Sequence, residues 1–495
     1  MNKRTTIKWA IPVLLALVLL LQPVLGQVSG RGEVRGVVRD QNQAVIPGAD
    51  VTIVNDDTNA TSSTITSDVG AYFIGAVQIG PYSMKVEMPG FNTWTTTFRV
   101  QAGGTVTIDA ELQVGDISTT IEVTDSVSEV SIDRLEIADV KDFDRIQQLP
   151  LNGRQVGTLF ALTPGVEGNG GTTRVVGMKS GSLEITLDGV SIVDRFGGGM
   201  RGRIQPRVDT ISEFRIETLG SDARFSRPAT VTMVSRSGTN EFHGSAFWTH
   251  RNNGAGLRAR RRNEGDTASK LIRNEFGFTA GGPVWLGNLY DGRDKTFWFF
   301  TYEGLRTSAS RFNSAWPRVP LDGWFEGDFS ELIDSSQNPI TIYNPYTTTA
   351  EGTRDPFPNN QIPSDMFQPI ASKLRAITAS PNRSINPALG NNFEYFYPQS
   401  DDTNTFTAKV DQVLSEKDNL SVRYTRTLND TQTDGGVFSN PPPDNLSGGG
   451  SQANSSSMNN VAINWNRTFS PSVLNELLVG VFRNYSSYGT IADVN

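Results

Sequence analysis

The stretch Asn404-Thr-Phe-Thr-Ala-Lys-Val-Asp-Gln-Val-Leu-Ser-Glu-Lys-Asp-Asn-Leu-Ser-Val-Arg-Tyr-Thr-Arg-Thr-Leu428 has the pattern of two β-strands joined by a tight turn. Polar and apolar residues alternate strictly on both sides of the turn, so one face of the hairpin is apolar and the other polar or charged. The apolar row comprises Phe406, Ala408, Val410, Leu420, Val422 and Tyr424. Soluble sandwiches and membrane barrels both show this alternation, so the connections between strands must distinguish them.

The lengths of those connections favour a barrel in an outer membrane. Long and short connections alternate along the predicted strands, and outer-membrane barrels have long external loops and short periplasmic turns. The chain should therefore contain part of an antiparallel barrel over 241–495. The predicted strands are 241–250, 274–282, 295–303, 404–413, 418–428, 459–469 and 473–485.

Aromatic residues lie towards the ends or the lipid-facing sides of these strands. They are the run 297–300 with Trp465, Phe469, Phe482 and Tyr485. Such residues form girdles at the two membrane surfaces in known barrels. Packing within the barrel wall is the alternative explanation.

The composition argues against an enzyme. Among 495 residues there are no Cys and two His. Disulfides, thiolate zinc sites and cysteine nucleophiles are thus excluded, and little imidazole is left for catalysis. The formal net charge of −8 does not favour a nucleic-acid partner. We therefore expect no catalytic residues, no metal site, no cofactor and no bound nucleic acid.

Residues 1–26 have the pattern of a secretory signal peptide. Lys3, Arg4 and Lys8 supply the positive charge, 9–21 is an apolar run, and small residues precede Gly26. An uncleaved anchor is the alternative, but the run is shorter than the ~20 residues that span a bilayer. We expect cleavage after Gly26 and an exported, acidic mature protein.

Residues 27–115 are predicted to form a small β-sandwich, because short alternating runs are separated by Gly, Pro and Asp turn signals. The runs are 34–38, 49–54, 82–86 and 105–112. The motifs Gly36-Val-Val-Arg-Asp40, Ile46-Pro-Gly-Ala-Asp-Val51 and Thr66-Ser-Asp-Val-Gly-Ala-Tyr-Phe73 resemble the carboxypeptidase regulatory-like domain. The resemblance implies a transthyretin-like fold, and no peptidase activity.

Residues 116–240 have a mixed α and β pattern. Apolar residues at helical spacing predict short helices around Ile146 and Leu159. An alternating strand over 183–187 is followed by Asp188-Gly189, a dipeptide typical of tight hairpin turns, and by a return strand over 190–193. Further strands are predicted over 214–217 and 231–234.

Several motifs in this region and beyond it resemble Oar-like TonB-dependent receptors. They include Leu149-Pro-Leu-Asn-Gly-Arg154, Leu187-Asp-Gly-Val190 and Lys295-Thr-Phe-Trp-Phe-Phe-Thr-Tyr-Glu-Gly304. The resemblance implies that 116–240 is a plug inside a barrel of about twenty-two strands. Seven predicted strands fall short of that number, so we expect this chain to be a fragment of a longer barrel, unless another chain completes the barrel. The residues of the implied plug motif are Leu149, Pro150, Asn152, Gly153, Arg154, Asp188 and Gly189.

The same resemblance implies a short extended segment before the plug, with which the TonB complex of the inner membrane pairs as an added strand. Position and β-rich composition point to Ser118, Thr119, Thr120, Ile121, Glu122, Val123 and Thr124. The alternative is that this segment is only the last strand of the sandwich, or a linker. The sequence favours neither.

Three further features have both a functional and a structural explanation. Eleven Arg and two Lys between Asp139 and Asn240 suit ion pairs that hold a plug in place, or a site for an anionic substrate. The basic run 258–262 could contact acidic polysaccharide or be a solvated loop. In the long connection 304–403, aromatic residues such as Trp316, Trp324 and Tyr397 could stack on sugars or pack the loop on itself.

Together these features predict a mainly β protein of the bacterial outer membrane. Its leading hypothetical function is TonB-dependent transport of an extracellular substrate across that membrane, with outer-membrane lipid around the barrel. The alternative is a surface adhesin or structural protein that binds carbohydrate or matrix without transport.

Overall fold

A computed structural model describes residues 30–115, 120–122, 137–149, 151, 153–168, 173–179, 181–193, 200, 206–219, 227–253, 270–312, 318–393, 396–433, 452–470 and 473–490. The predicted signal peptide and the basic run 258–262 lie outside these residues. Within them, no helix is both long enough and apolar enough to cross a membrane.

The first part of the chain is a β-sandwich, as predicted. One sheet has the order β4-β1-β7, with β8 also paired to β1, and the other has the order β3-β2-β5-β6-β9. The strands are β1 (Gly32–Asp40), β2 (Asp50–Asn55), β3 (Thr61–Ile65), β4 (Ala71–Val77), β5 (Gly80–Glu87), β6 (Thr93–Val100), β7 (Thr105–Thr107), β8 (Ala110–Leu112) and β9 (Thr120–Glu122).

The core of the sandwich lies between the apolar faces of its two sheets. Val34, Val51, Ile53 and Leu112 are fully buried there, and each such side chain contributes about 1.5–3 kcal/mol of burial free energy. At Gly36 two backbones approach closely, since a Cβ atom there would lie 1.7 Å from the Ile108 carbonyl oxygen. Only glycine fits this position.

The middle domain, residues 137–235, is a five-stranded sheet covered by short helices. Its strand order is β10-β15-β16-β13-β14. Both predicted helices exist, and the second is a 3-10 helix. The elements are β10 (Ile137–Asp142), α1 (Phe143–Gln148), the 3-10 helix Val156–Leu162, β11 (Val166–Glu167), β12 (Arg174–Val175), β13 (Leu183–Leu187), β14 (Val190–Ser191), the 3-10 helix Val208–Thr210, β15 (Ile211–Leu219) and β16 (Ala229–Ser235).

The rest of the chain forms one antiparallel sheet of seven sequential strands, which we call the wall. All seven predicted strands are present, and six of them extend further towards the long connections. The wall is open, because β17 and β23 each have one strand neighbour among the described residues. Its strands are β17 (His243–Asn252), β18 (Leu271–Pro283), β19 (Thr296–Phe312), β20 (Phe396–Ser415), β21 (Asp418–Thr433), β22 (Gln452–Ser470) and β23 (Val473–Thr490).

The two faces of the wall are reversed relative to a soluble protein. The polar row of β20, which includes Thr407, Lys409 and Asp411, is buried on the side of the middle domain. The apolar row points away, and Val410 is 43% exposed. This arrangement is that of a membrane barrel, whose outer face meets lipid and whose interior is polar.

The aromatic run 297–300 lies at the start of β19, as predicted for strand ends, but only half of it is on the outer face, and the alternative of packing within the barrel applies to the other half. Phe297 and Phe299 lie on the inner face and are almost fully buried, because strand residues alternate between faces. Phe482 pairs with Asn460, an inner-face residue, and is therefore also on the inner side. Phe469 and Tyr485 belong to the outer rows and are exposed, as predicted.

The connection between β19 and β20 folds on itself. The Asn392 side chain is fully buried and bonds both the N–H and the C=O of Val319 at 2.8 Å. Trp324 and Phe329 stack on each other at 5.9 Å, which favours self-packing over an open sugar site. The elements there are α2 (Asp322–Phe325), α3 (Pro369–Ile377) and the 3-10 helices Pro345–Thr347, Pro358–Asn360 and Ser364–Met366.

We predict that Gly36→Ala destabilises the sandwich by about 3 kcal/mol, because the new methyl group overlaps a backbone carbonyl that cannot move alone. Gly48→Ala is the comparison. It meets no atom within 4 Å but has a φ of +75°, so it should cost about 1 kcal/mol. Pulse proteolysis of the full chain in urea measures both values. Equal losses of stability in the two variants would show that the backbones at Gly36 and Ile108 are not in close contact.

Candidate functional site

The hairpin turn between β13 and β14 presents one carboxylate to the wall. Asp188 and Gly189 have φ values of +48° and +80°, which is the pattern of a type I′ turn, and Leu187 pairs with Val190 across it. Gly480 on β23 lies against this hairpin, since a Cβ atom there would approach Val190 to 2.7 Å. The turn and the wall are therefore in close contact.

Asp188 is buried and accepts hydrogen bonds from two directions. From its own domain, the Ser235 N–H donates to one carboxylate oxygen at 2.9 Å and the Ser235 hydroxyl to the other at 2.7 Å. From the wall, Nε of Arg423 on β21 donates to the second oxygen at 2.5 Å. The Arg423 side chain is 1% exposed and the Asp188 side chain 12%, so this ion pair is largely buried.

The guanidinium of Arg423 joins the turn to two wall strands. Its Nη2 donates to the Leu187 carbonyl at 3.2 Å and to Oδ1 of Asn460 at 2.8 Å, and its Nη1 donates to the Thr425 hydroxyl at 2.9 Å. Lys409 on β20 adds a bond to the Ser235 carbonyl at 3.1 Å. We call this set of residues, Asp188, Ser235, Lys409 and Arg423, the Asp188 contact.

Charge in this contact favours the ionised carboxylate. Burial alone would raise the pKa of Asp188, but the charges of Lys409 and Arg423 and the bonds from Ser235 together lower it. A buried carboxylate is stable only with such partners. The middle domain therefore binds the wall through a carboxylate that depends on wall cations.

A second contact surrounds Arg154. Within the middle domain, its Nη2 donates to Oδ2 of Asp209 at 2.6 Å. On the wall side, its Nε lies 3.9 Å from Oε2 of Glu303 on β19, and its guanidinium carbon lies 3.9 Å from the centre of the Phe247 ring on β17. Arg207 donates to the Gly153 carbonyl at 3.0 Å. Arg154 thus joins the middle domain to two further wall strands.

The structure brings together the later members of the predicted plug motif, but in two separate contacts. Asp188 and Gly189 form the first, and Gly153 and Arg154 belong to the second. Leu149 caps α1 in extended conformation and packs on the core of the middle domain, so its role is structural. Pro150 and Asn152 lie outside the described residues.

The segment predicted to contact TonB lies at the edge of the sandwich. Thr120, Ile121 and Glu122 form β9, which pairs in parallel with β6. Ser118, Thr119, Val123 and Thr124 lie outside the described residues. The placement agrees with the alternative of a last sandwich strand, and β9 has one strand neighbour in the described part of the chain.

The prediction that Arg residues pair with carboxylates is confirmed in part. Arg215 pairs with Glu217 at 3.0 Å and Arg227 with Glu184 at 3.5 Å, both inside the middle domain. The sequence named Asp188 but not its partners in the wall, because the cations, Lys409 and Arg423, belong to a different part of the chain. Their position in the polar row of barrel strands was the available signal. The described residues contain no cluster of three or more His, Asp or Glu side chains suited to a metal ion.

Comparisons with known proteins agree with this geometry. The family model for the outer membrane beta barrel domain matches residues 234–494, more than half of the chain. The chain belongs to this family. It is accordingly a protein of the bacterial outer membrane. In barrels of that membrane the short turns face the periplasm. The carboxypeptidase regulatory-like domain model matches residues 33–113, which confirms the resemblance of the sandwich.

A curated relative is the TonB-dependent transporter Oar of Myxococcus xanthus, which is 25% identical over 54% of this chain. The chain spans 26% of the length of Oar. Among solved structures, a mutant ferric enterobactin receptor of Pseudomonas aeruginosa in complex with enterobactin is 10% identical, over 70% of this chain and 41% of that one, with a TM-score of 0.37. The siderophore receptor PiuA of Acinetobacter baumannii is 12% identical, over 71% and 45%, with a TM-score of 0.33.

We predict that Arg423→Met loosens the middle domain from the wall by about 3–5 kcal/mol, because Asp188 is left buried without its partner. Arg426→Met is the matched control, since Arg426 lies on the same strand but is exposed on the outer face. Urea unfolding followed by protease cleavage within the middle domain measures the loss. The double variant Arg423→Met with Asp188→Asn should recover part of it. Equal effects of the two Arg variants would contradict the contact.

Acid should weaken the Asp188 contact. The lowered pKa of Asp188 means that its stabilisation is present above the ordinary value of 3.8 and is lost as the pH falls through the lowered pKa. Protease cleavage of the middle domain, measured from pH 6 to pH 2.5, should rise below pH 4. In Asp188→Asn this rise should be smaller. An unchanged acid transition in that variant would assign the release to other groups.

Proposed function

We propose that this chain acts in TonB-dependent transport across the outer membrane. In this proposal 1–26 is a signal peptide, 27–115 the regulatory-like sandwich, 116–240 a plug and 241–495 part of the barrel that surrounds the plug. The observation that carries the proposal is the Asp188 contact, in which a domain inside a polar wall is held by buried, charge-dependent bonds. The 25% identity to a TonB-dependent transporter supports it.

Such a contact suits a plug that must be held in a defined position and also move. A buried ion pair adds little net stability compared with an apolar contact, because both charges lose their water, yet it is costly to break on one side only. It therefore fixes position and orientation strongly. Once a mechanical pull separates the partners and water enters, each charge is solvated and the separated state is no longer strongly disfavoured.

The energy source in this proposal is the TonB complex, acting on the segment Ser118 to Thr124. β9 is the terminal strand of its sheet, so one backbone edge has no strand neighbour within the described part of the chain. An open strand edge accepts an added strand through main-chain hydrogen bonds. Membership of the sandwich sheet and pairing with TonB are therefore compatible for this segment.

The proposed role needs no catalytic residue, no cofactor and no nucleic acid. The relatives named by the comparisons are a transporter and two receptors. The substrate would be an extracellular molecule that enters through the long-loop end of the barrel and leaves beside the displaced plug.

We predict that the full chain binds the purified periplasmic domain of TonB, and that Ile121→Pro weakens the binding at least tenfold. Proline removes one backbone donor and is poorly tolerated within a paired strand. Ile121→Ala keeps the backbone donor, so it should bind within about threefold of the native sequence. Surface plasmon resonance with the TonB domain immobilised gives both affinities.

Two outcomes would count against the proposal. One is an absence of binding by the native chain at TonB concentrations up to about 100 μM, which would favour the adhesin alternative. The other is an equal loss of affinity in the Pro and Ala variants, which would show that side-chain contact rather than strand addition is responsible.

A further inference from the structure

The sandwich lies against the periplasmic end of both the middle domain and the wall. Asn240, at the start of the barrel domain, donates its N–H to the Asp57 carbonyl at 3.0 Å and its side-chain amide to the Thr58 carbonyl at 3.3 Å. The Asn59 amide donates to Asp294, in the turn between β18 and β19, at 2.9 Å. The loop 56–59 of the sandwich is thus hydrogen-bonded to the segment before β17 and to the turn between β18 and β19.

Close apolar approaches occur at two more points of this interface. A Cβ atom on Gly75 of β4 would lie 2.9 Å from Cδ2 of Leu474 at the periplasmic end of β23. A Cβ atom on Gly30 would lie 2.7 Å from Cγ2 of Val234 on β16. The sandwich therefore touches the wall near its first strands, just before β17 and at the turn between β18 and β19, and at its last strand, β23. It also touches the middle domain.

A cavity of about 240 Å³, partly open to solvent, lies beneath the sandwich. The sandwich contributes Arg31 and Asp57 to its lining, and the middle domain and wall contribute Asp188, Arg423 and Asp411, among others. Oδ2 of Asp411 is buried and has no hydrogen-bond partner, so the cavity suits several water molecules at about 30 Å³ each. The Asp188 contact thus borders a space that the sandwich partly covers.

One buried carboxyl group joins the sandwich to the middle domain. Glu213 on β15 is fully buried and accepts a hydrogen bond at Oε1 from the N–H of Ala102, in the turn between β6 and β7. Its other oxygen, Oε2, is buried without a partner. A buried carboxylate with one unsatisfied oxygen is unfavourable, and protonation removes the buried charge, which is the larger part of the cost.

The charged groups that face Glu213 do not remove this preference. Arg99 of the sandwich and Arg215 of the same strand favour the ionised form, while Asp142, directly opposite on β10, disfavours it. On the other side the neighbour is Val234 of β16, which is apolar. Burial is the largest effect and raises the pKa of Glu213 to about 7, against the bond from Ala102 and the charge of Arg99.

We propose that the sandwich is a detachable cap on the periplasmic end of the middle domain and wall, and that the protonated Glu213 side chain holds it closed. Ionisation of Glu213 loosens the cap, because the charged group regains water only when the turn at Ala102 moves away. The cavity and the Asp188 contact next to it are then fully open to the surrounding water. The cap is an interaction surface within this chain and does not depend on TonB or on transport.

The direction of the pH effect follows from the raised pKa. In the released state Glu213 is hydrated, with the ordinary pKa of 4.5, whereas in the closed state the pKa is about 7. The closed state therefore keeps its proton over a pH range in which the released state has lost it. The stability of the closed state relative to the released state is greatest below pH 4.5, and it falls as the pH rises until the pH passes about 7. At tenfold per pKa unit, the closing equilibrium constant should drop roughly thirtyfold between pH 5.5 and pH 8.5.

The test measures the distance between the sandwich and the wall in the full chain. The native sequence has no Cys, so nitroxide labels attach only at introduced cysteines. Asp68→Cys places one label on the sandwich, and Asn288→Cys places the other in the wall, in the turn between β18 and β19. Both positions are exposed. Double electron–electron resonance at pH 5.5 should give one narrow distance distribution. At pH 8.5 a second, longer population should appear, and returning to pH 5.5 should remove it.

Two variants in the labelled background assign the effect. Glu213→Gln stays neutral at all pH values, so the distribution should remain narrow at pH 8.5. Glu217→Gln, on the same strand, should keep the pH response of the native sequence. A distribution that is identical at the two pH values in the native sequence, or a pH response that persists in Glu213→Gln, would overturn the proposal. Because the pH series in the native sequence already tests closure, poor folding of Glu213→Gln leaves that part of the test intact.

Discussion

The tertiary arrangement depends on one constraint: the polar inner face of the wall must find partners. The wall turns its apolar rows outward, so Thr, Asn, Lys and Arg side chains line the inner side. Buried polar groups are costly unless they are hydrogen-bonded, and buried charges are costlier still. The middle domain meets this need with a hairpin turn that carries Asp188 to Arg423. The position of the domain is a consequence of this pairing.

The Asp188 turn also explains why a short motif matters. A type I′ turn requires positive φ at both central residues, and the Asp-Gly pair meets that requirement at little cost. It places the carboxylate at the tip, where Ser235 and Arg423 reach it from opposite sides. A longer or looser turn would not hold the carboxylate between these donors. Local backbone geometry and the long-range ion pair therefore support each other.

Glu213, at the interface between the sandwich and the middle domain, is a buried carboxyl group of a different kind from Asp188. Asp188 has two cations and two Ser235 donors, which lower its pKa, whereas Glu213 has one backbone donor, a facing Asp142 and an unsatisfied oxygen, and its pKa is raised. The two groups differ because of their neighbours, since both are deeply buried. One contact is thus stable at neutral pH as an ion pair, and the other depends on a proton.

The sequence by itself determined the seven wall strands, the short helices and the Asp-Gly hairpin, because alternation, helical spacing and turn chemistry are local signals. It also indicated the reversed faces of the wall through the lengths of the connections. Only the tertiary structure decided which wall residues meet Asp188, that Phe297 and Phe299 face inward, that β9 joins β6, and that Ala102 covers Glu213. These facts depend on how separate elements pack. Asp188 and Arg423, like Ala102 and Glu213, are more than a hundred positions apart, and no pattern in a single sequence fixes such a pairing.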